Sequence, residues 1–211
     1  MPLTIKQKTD ILIGLFVAAL IAANLMGTKI AHVIFDFSVG IFAYPITFLV
    51  TDIIEEVHGR KKAQNIVYAG FISLLFVLGI TFLAIKLPSA TRDFFPDAYQ
   101  KIFGISLRIM LASLIAFAIS QTHDVWAFNF WKQKTKGKFL WLRNNASTIV
   151  SQFIDTVIFM FIAFYHITPK HNVQYMFVLI LPYWLLKVFV ALCDTPFIYA
   201  GVWWLRRGKK G

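Results

Sequence analysis

Two copies of a short polar motif, Ser-Gln-x-x-Asp, lie inside long apolar stretches of the chain. The first copy contains Gln121 and Asp124, and the second contains Gln152 and Asp155. Residues three apart lie on one face of a helix, so each copy presents an amide and a carboxylate together. Such groups can bind a polar solute, or they can join two helices to each other. Because an unpaired acid in hydrocarbon is costly, we favour solute binding.

Further charged side chains fall within the apolar stretches, where each costs about 2.5–3.5 kcal/mol near the bilayer centre. They must therefore face the interior of a helix bundle, form pairs, or contact water. These residues are Asp52, Glu55, Glu56, Arg108, Lys187 and Asp194.

The pair formed by Lys187 and Asp194 is followed directly by Thr195 and Pro196. Seven residues correspond to two turns along one helix face, so the two charges share that face. A proline inside a helix removes one backbone hydrogen bond. Such breaks often lie beside the substrate in transporters, although a proline can equally be a tolerated kink.

The composition requires a membrane to position these residues. Of the 211 residues, 58% are hydrophobic and 15% are charged, and the mean hydropathy is +0.68. We predict an all-α polytopic membrane protein, with a single transmembrane domain over residues 1–211. Its six predicted spans cover residues 10–31, 39–57, 64–86, 105–130, 145–167 and 176–205.

The basic residues alternate in density along the connections. Both termini and the loops after spans 2 and 4 hold fourteen Lys and Arg, whereas the other connections hold four. By the positive-inside rule, both termini are predicted to be cytoplasmic. A net charge of +11 could suggest nucleic-acid binding, but the charge is spread over several loops without a basic domain, which argues against it.

Metal and cofactor sites are not expected from the sequence. The single cysteine, Cys193, excludes an internal disulfide and a multi-cysteine metal site. The five histidines show no metal-ligand spacing, and no strong nucleotide-binding loop is present. We therefore expect no metal, no cofactor and no catalytic residue.

One segment resembles a known family. The run from Pro45 to Ala63 reads Pro-Ile-Thr-Phe-Leu-Val-Thr-Asp-Ile-Ile-Glu-Glu-Val-His-Gly-Arg-Lys-Lys-Ala. It resembles the second helix of the queuosine-precursor transporters, also called the vitamin uptake transporter family. Segments 108–124 and 143–155, and Lys187 with Asp194-Thr195-Pro196, resemble the later family motifs in the same order. His58 stands where the family often has tyrosine.

The resemblance implies six helices and import of 7-cyano-7-deazaguanine, or its 7-aminomethyl relative, across the bacterial inner membrane. A carboxylate can accept hydrogen bonds from the N1–H and exocyclic amine of a deazaguanine in bidentate fashion. Gln121, Gln152 or Lys187 could donate to O6, and the flat ring suits aromatic stacking. The aromatic candidates are Phe128, Phe153 and Trp184.

These considerations give a predicted site with several parts. A central site is formed by Gln121, Asp124, Gln152 and Asp155, with Lys187 and Asp194 as its wall. An inner gate is formed by Asp52, Glu55 and Glu56. A cytoplasmic mouth is formed by Arg143, Asn144 and Ser147. Arg108 either extends outward to the bilayer surface or reaches an inner carboxylate.

Two other functions remain open at this point. The chain could be the substrate-binding subunit of an energy-coupling-factor transporter, with Ala18-x-x-x-Ala22 or Ala19-x-x-x-Ala23 docking a partner. It could also be an intramembrane enzyme in which Asp124 and Asp155 form an acid–base dyad, although no accompanying motif supports this. The expected partners are a small deazapurine and the lipid bilayer, and a homo-oligomer remains possible.

Overall fold

The computed structural model describes residues 3–27, 29–32, 36–90, 92–166, 169 and 172–207. Within these ranges the fold is a bundle of six α-helices with one small hairpin, which confirms the predicted all-α class. The elements in chain order are α1 (Ile5–Met26), β1 (Ile30–His32), β2 (Asp36–Ser38), a 3-10 turn (Val39–Phe42), α2 (Tyr44–His58), α3 (Arg60–Lys86), α4 (Pro96–Lys134), α5 (Leu140–Phe164) and α6 (Val173–Arg206).

The helices and the predicted spans differ at the start of α4, which begins at Pro96 instead of residue 105, and around the hairpin. The first predicted span runs to residue 31, but α1 ends at Met26 and the chain continues into β1. Strands β1 and β2 are antiparallel, with Ala31 opposite Phe37. The 3-10 turn then precedes α2, which begins at Tyr44 with Pro45 in its first turn, where a missing N–H is tolerated.

Five of the helices are long and apolar enough to cross a bilayer, by length and composition. Helix α2 is the sixth, and its 15 residues give a length of about 22 Å, less than the hydrocarbon thickness of about 30 Å. Large apolar side chains face outward, including Phe76, Phe189 and Phe197. The bundle interior holds many polar side chains instead, which is the arrangement expected in lipid.

The start of α1 and the end of α6 lie at the same end of the bundle. The Lys8 ammonium donates a hydrogen bond to the Trp204 carbonyl and lies 4.8 Å from the centre of the Trp204 ring. We call this the terminal end, and we call the opposite end, with β1 and β2, the hairpin end. Lys170, Lys209 and Lys210, which contribute to the charge pattern, lie outside the described residues.

Helices α2 and α3 are joined by one residue, Gly59. Its φ of +84° lies in the left-handed region that glycine adopts without steric cost. Its N–H donates to the Glu55 carbonyl, which ends α2 and allows α3 to begin at Arg60. The joint therefore contains no loop.

Candidate functional site

A cavity of about 230 Å³ lies in the hairpin half of the bundle, between α1, the 3-10 turn, α2, α4, α5 and α6. Much of its wall is apolar, with Ile41, Phe159, Met160 and Phe164. Its polar lining consists of Asn24, Ser38, Tyr44, Ser113, Asp155, Thr156, Tyr183 and Lys187. Apolar walls with a few converging polar groups are typical of ligand sites, and the volume is near their lower limit of about 300 Å³.

Asp155 is the centre of the polar groups in this cavity. Its Oδ2 is 2.8 Å from Lys187 Nζ, and its Oδ1 accepts hydrogen bonds from Tyr44 at 2.6 Å and from Ser120 at 3.2 Å. The Lys187 ammonium also lies 4.9 Å from the centre of the Tyr44 ring. A buried charge is tolerable when it is paired and hydrogen-bonded. Side chains from α2, α4 and α6 together fix this carboxylate of α5.

The wall at the hairpin end depends on a close approach at Gly40. A Cβ atom there would lie 2.5 Å from the Ala23 carbonyl oxygen of α1. The Ser38 hydroxyl donates to the Gly27 carbonyl at 2.7 Å, and the Ser38 N–H donates to the Tyr183 hydroxyl at 2.9 Å. The segment between β2 and α2 is thereby attached to both α1 and α6.

The two Ser-Gln-x-x-Asp motifs face each other across the antiparallel pair of α4 and α5. Ser120 of the first copy donates to Asp155 of the second, and Ser151 of the second lies beside Asp124 of the first. Because serine and aspartate are four residues apart in each copy, the two acids lie at levels about 6 Å apart along the bundle. Asp155 is nearer the hairpin end.

Asp124 belongs to a second group of acids, which we call the acid cluster: Asp52, Glu55 and Asp124. All three are buried, with at most 1% of each residue exposed. The carboxyl groups of Asp52 and Asp124 lie within hydrogen-bonding reach of each other. Thr148 donates to Asp52 Oδ2 at 3.4 Å.

The other acids of the cluster have no donor. Neither oxygen of Glu55 or Asp124 accepts a hydrogen bond from any group in the described part of the chain. Ser147 and Ser151 lie near Asp124, but their hydroxyls donate to the carbonyls of Asn144 and Ser147 in their own helix.

A second, much smaller cavity of about 10 Å³ lies beside Asp52. This volume corresponds to roughly one water molecule. The Gln152 Oε1 atom is buried without a hydrogen-bond partner among the described groups. The residues around the small cavity are Pro45, Phe48, Leu49, Asp52, Asn144, Thr148, Gln152, Ala191 and Asp194.

Glu56 connects four helices at the terminal end. Its carboxylate is 3.0 Å from Lys132 Nζ, 2.7 Å from Arg143 Nη1 and 3.0 Å from Arg206 Nη2. Arg143 is buried, and its guanidinium lies 5.4 Å from the centre of the Phe128 ring. We call this group the Glu56 network. It joins α2, α4, α5 and α6 at the terminal end.

The four residues predicted for the central site are distributed over four places. Asp155 lines the large cavity, Asp124 lies in the acid cluster, and Gln152 faces the small cavity. Gln121 is fully buried between α2 and α4, where its Nε2 donates to Thr47 Oγ1 at 3.2 Å. The structure therefore does not bring these four side chains around one ligand.

The predicted wall is divided in the same way. Lys187 lines the large cavity and Asp194 lines the small one, since two turns of α6 separate them. In the predicted gate, Glu55 and Glu56 are adjacent in sequence, so they point about 100° apart around α2. Glu55 therefore joins the acid cluster and Glu56 joins its own network.

The remaining predicted residues lie near the two ends of the bundle. Arg108 donates to the carbonyls of Ile162 and Tyr165, each at 2.8 Å. It satisfies the C-terminal end of α5 instead of a carboxylate. The other three residues lie in the terminal half of the bundle. Arg143 belongs to the Glu56 network, Asn144 lies at the small cavity, and Ser147 lies beside Asp124.

Several cavity residues were not among those proposed from the sequence, above all Tyr44 and Tyr183. Tyr44 directly precedes Pro45. Its position at the start of the polar second helix could have identified it as a candidate site residue. The proposed stacking residues Phe128, Phe153 and Trp184 are absent from the described lining of the large cavity, and Phe153 packs edge-on against Trp184. Phe159, Phe164 and Tyr183 provide its aromatic surface instead.

Comparison with known proteins agrees with the resemblance in the sequence. A family model described as "Putative vitamin uptake transporter" matches residues 38–201. A "Probable queuosine precursor transporter" from Bacillus subtilis (strain 168) is 34% identical over 192 residues, covering 89% of this chain and 82% of that protein. A "Queuosine precursor transporter" from Escherichia coli (strain K12) is 32% identical over 126 residues, covering 60% of this chain and 54% of that protein. No solved structure gives a significant match.

Proposed function

The chain belongs to the vitamin uptake transporter family, and we propose that it imports a queuosine precursor across the bacterial inner membrane. The proposed substrates are 7-cyano-7-deazaguanine and 7-aminomethyl-7-deazaguanine. Both carry the same guanine-like edge, with an N1–H, an exocyclic amine and O6. The proposal concerns recognition of that edge and movement of the base from one side of the bilayer to the other.

The observation that carries this proposal is the large cavity around Asp155. Of its described lining residues, Asp155 is the sole acid. A carboxylate can accept the N1–H and the amine of a deazaguanine as a bidentate pair. When Asp155 turns toward the base, Lys187 and Tyr44 become free to donate to O6. The residues that already bind Asp155 thus complete the recognition of the ring.

The apolar part of the cavity suits the flat ring of the substrate. Phe159, Phe164 and Tyr183 line it beside the polar groups. Aromatic side chains favour offset or edge-on contacts with a planar partner. The ring system is therefore held by aromatic contacts, while its polar edge reaches Asp155.

The position of the cavity supports a direction of transport. The positive-inside rule predicts that the terminal end is cytoplasmic, which places the large cavity in the outer half of the membrane. The Gln121–Thr47 contact, the acid cluster and the Glu56 network lie between the cavity and the terminal end. We interpret this arrangement as the form that receives substrate from outside, with the Glu56 network as the inner gate.

We propose no enzymatic step. An aspartyl enzyme of the kind considered above needs Asp124 and Asp155 to act on one substrate atom. Asp155 binds Lys187 and Tyr44, whereas Asp124 contacts Asp52. The two acids therefore face different partners at different levels of the bundle.

The direct test uses the purified chain in liposomes and labelled 7-cyano-7-deazaguanine or its aminomethyl relative. We expect uptake by the chain alone, without an energising subunit. Asp155→Asn should reduce uptake about tenfold or more, because a hydrogen bond to a charged group contributes roughly 1.5–3 kcal/mol. The matched control is Asp93→Asn, the same change at an exposed site, which should leave uptake unchanged.

A cellular assay complements this measurement. Bacteria that lack both precursor synthesis and their own importer should regain queuosine in transfer RNA when they express the chain and receive the precursor. Transport that requires an added energising subunit would favour the substrate-binding-subunit alternative. Wild-type uptake by Asp155→Asn would remove the proposed site, and no uptake of either base would contradict the proposed function.

A further inference from the structure

The acid cluster has no role in binding the base as proposed above, yet it is the least compensated group of charges in the described bundle. Asp52 and Asp124 are at most 1% exposed and lie within hydrogen-bonding reach of each other. Two carboxylates cannot both be ionised at that separation in a medium of low dielectric. Neither oxygen of Asp124 receives a donor from the described residues, so a proton on one acid must make the contact.

The surrounding charges do not supply a counter-ion to the pair. Arg60 of α3 and Lys132 of α4 lie close enough to attract Glu55, but neither donates to its carboxylate. Lys132 instead pairs with Glu56. The described side chains of α5 beside Asp124 are the hydroxyl groups of Ser147, Thr148 and Ser151. The other titratable groups nearby are Asp194 of α6, across the small cavity, and His123 of α4, which bonds Ser151.

The small cavity is an independent indication of what the pair binds. It borders Asp52 and holds about one water by volume. Gln152 Oε1 is one of its polar groups and lacks a donor among the described atoms. A buried acceptor of this kind normally has a partner. The space excludes a ring or a peptide but accommodates a water molecule that carries a proton.

Helix α2 links this region to the substrate cavity. Its Tyr44 binds Asp155, and its Asp52 contacts Asp124. Eight residues separate Tyr44 from Asp52, which is about two turns along the same side of the helix. A displacement of α2 when the base binds to Asp155 must therefore also change the contact between Asp52 and Asp124.

We propose that the Asp52–Asp124 pair binds a proton whose inward movement drives import, so that the chain is a proton symporter. The proposal rests on the function proposed above. A hydronium ion from the outer side transfers its proton to the ionised acid of the pair and leaves a water molecule. When the terminal end opens, the same proton passes to cytoplasmic water and the acid is ionised again.

The test uses the full chain in liposomes with 7-cyano-7-deazaguanine, because this neutral base carries no charge of its own. The membrane potential is clamped at zero, and the lumen is set about one pH unit more alkaline than the outside. For one proton per base, this gradient supports accumulation of about tenfold inside the vesicle. Without the gradient, the inner and outer concentrations should become equal.

A second readout does not depend on a variant. A pH-sensitive dye in the lumen should report acidification when the base is added outside wild-type vesicles at symmetric pH. In Asp124→Asn, accumulation should fall from about tenfold to none, because the amide donates to Asp52 permanently and takes the place of the exchangeable proton. The control is Asp97→Asn, the same substitution at an exposed site in the first turn of α4, which should accumulate the base like the wild type.

The outcomes separate the two proposals. Entry of the base to the same final level with and without the gradient, without acidification of the lumen, would overturn proton coupling and leave the import function intact. Accumulation driven by a sodium gradient at symmetric pH would also overturn it. No entry of the base under any condition would contradict the proposed function and, with it, the coupling.

Discussion

Asp155 and Asp124 hold the same position in two copies of one motif, yet their surroundings are opposite. Asp155 lines the large cavity and pairs with Lys187, whereas Asp124 is buried in contact with a second acid, Asp52. The difference comes from the neighbouring helices, because α2 supplies Tyr44 to one acid and Asp52 to the other. A repeated motif in a membrane bundle therefore does not imply a repeated chemical role.

The largest loss of stability is expected when Asp155 loses its cationic partner, Lys187. Lys187→Met leaves Asp155 as a buried carboxylate without a counter-charge, which typically costs about 3–5 kcal/mol. Thermal unfolding in detergent should show a clearly lower melting temperature. Lys187→Met combined with Asp155→Asn should recover part of the loss, since the uncompensated charge is then absent. Equal melting temperatures for wild type and Lys187→Met would show that the pair is not buried as described.

Removing one carboxylate from the acid cluster should raise the stability of the protein instead of lowering it. Asp124→Asn removes one of two acids that lack a cation, and its amide can donate to Asp52. The expected result is a stabilisation of about 1 kcal/mol, the usual net value of one hydrogen bond. The same unfolding measurement tests this, with Asp97→Asn as the exposed control. A strong destabilisation by Asp124→Asn would mean that Asp124 has a cationic partner and that the contrast with Asp155 is wrong.

The smallest effect is expected at Arg206 of the Glu56 network, because the two arginines of this network differ in exposure. The Arg206 side chain is 58% exposed, so Arg206→Ala should change stability by less than about 1 kcal/mol, as for other surface pairs. Arg143 is buried against Phe128, so Arg143→Ala should cost more. Unfolding midpoints compared between the two variants provide the check. A larger loss for Arg206→Ala would argue against a buried gate at Arg143.

Much of the fold could be predicted because hydrocarbon imposes simple requirements. The long apolar stretches indicated six helices, and the structure has them. The second span was harder to delimit, since the 3-10 turn at Val39–Phe42 is as apolar as a helix. The end of α1 was missed for a similar reason, because β1 continues the apolar composition beyond Gly27.

Contacts between polar residues of different helices were harder to predict. Spacing within one helix identifies a shared face, but it does not identify the partner helix. Asp155 and Lys187 are 32 residues apart, and no local pattern indicates their contact. Lys187 and Asp194 share a face of α6, yet they line different cavities because two turns of the helix separate them.

The short length of α2 has a mechanical consequence. Tyr44 at one end binds Asp155 in the large cavity, and Glu56 near the other end belongs to the Glu56 network. These residues are about 18 Å apart along one rigid rod. A tilt of α2 about its midpoint moves its two ends in opposite directions. Because Gly59 is the one residue between α2 and α3, the same tilt also displaces the start of α3. Any tilt of α2 therefore moves Tyr44 at the large cavity and Glu56 in its network at the same time.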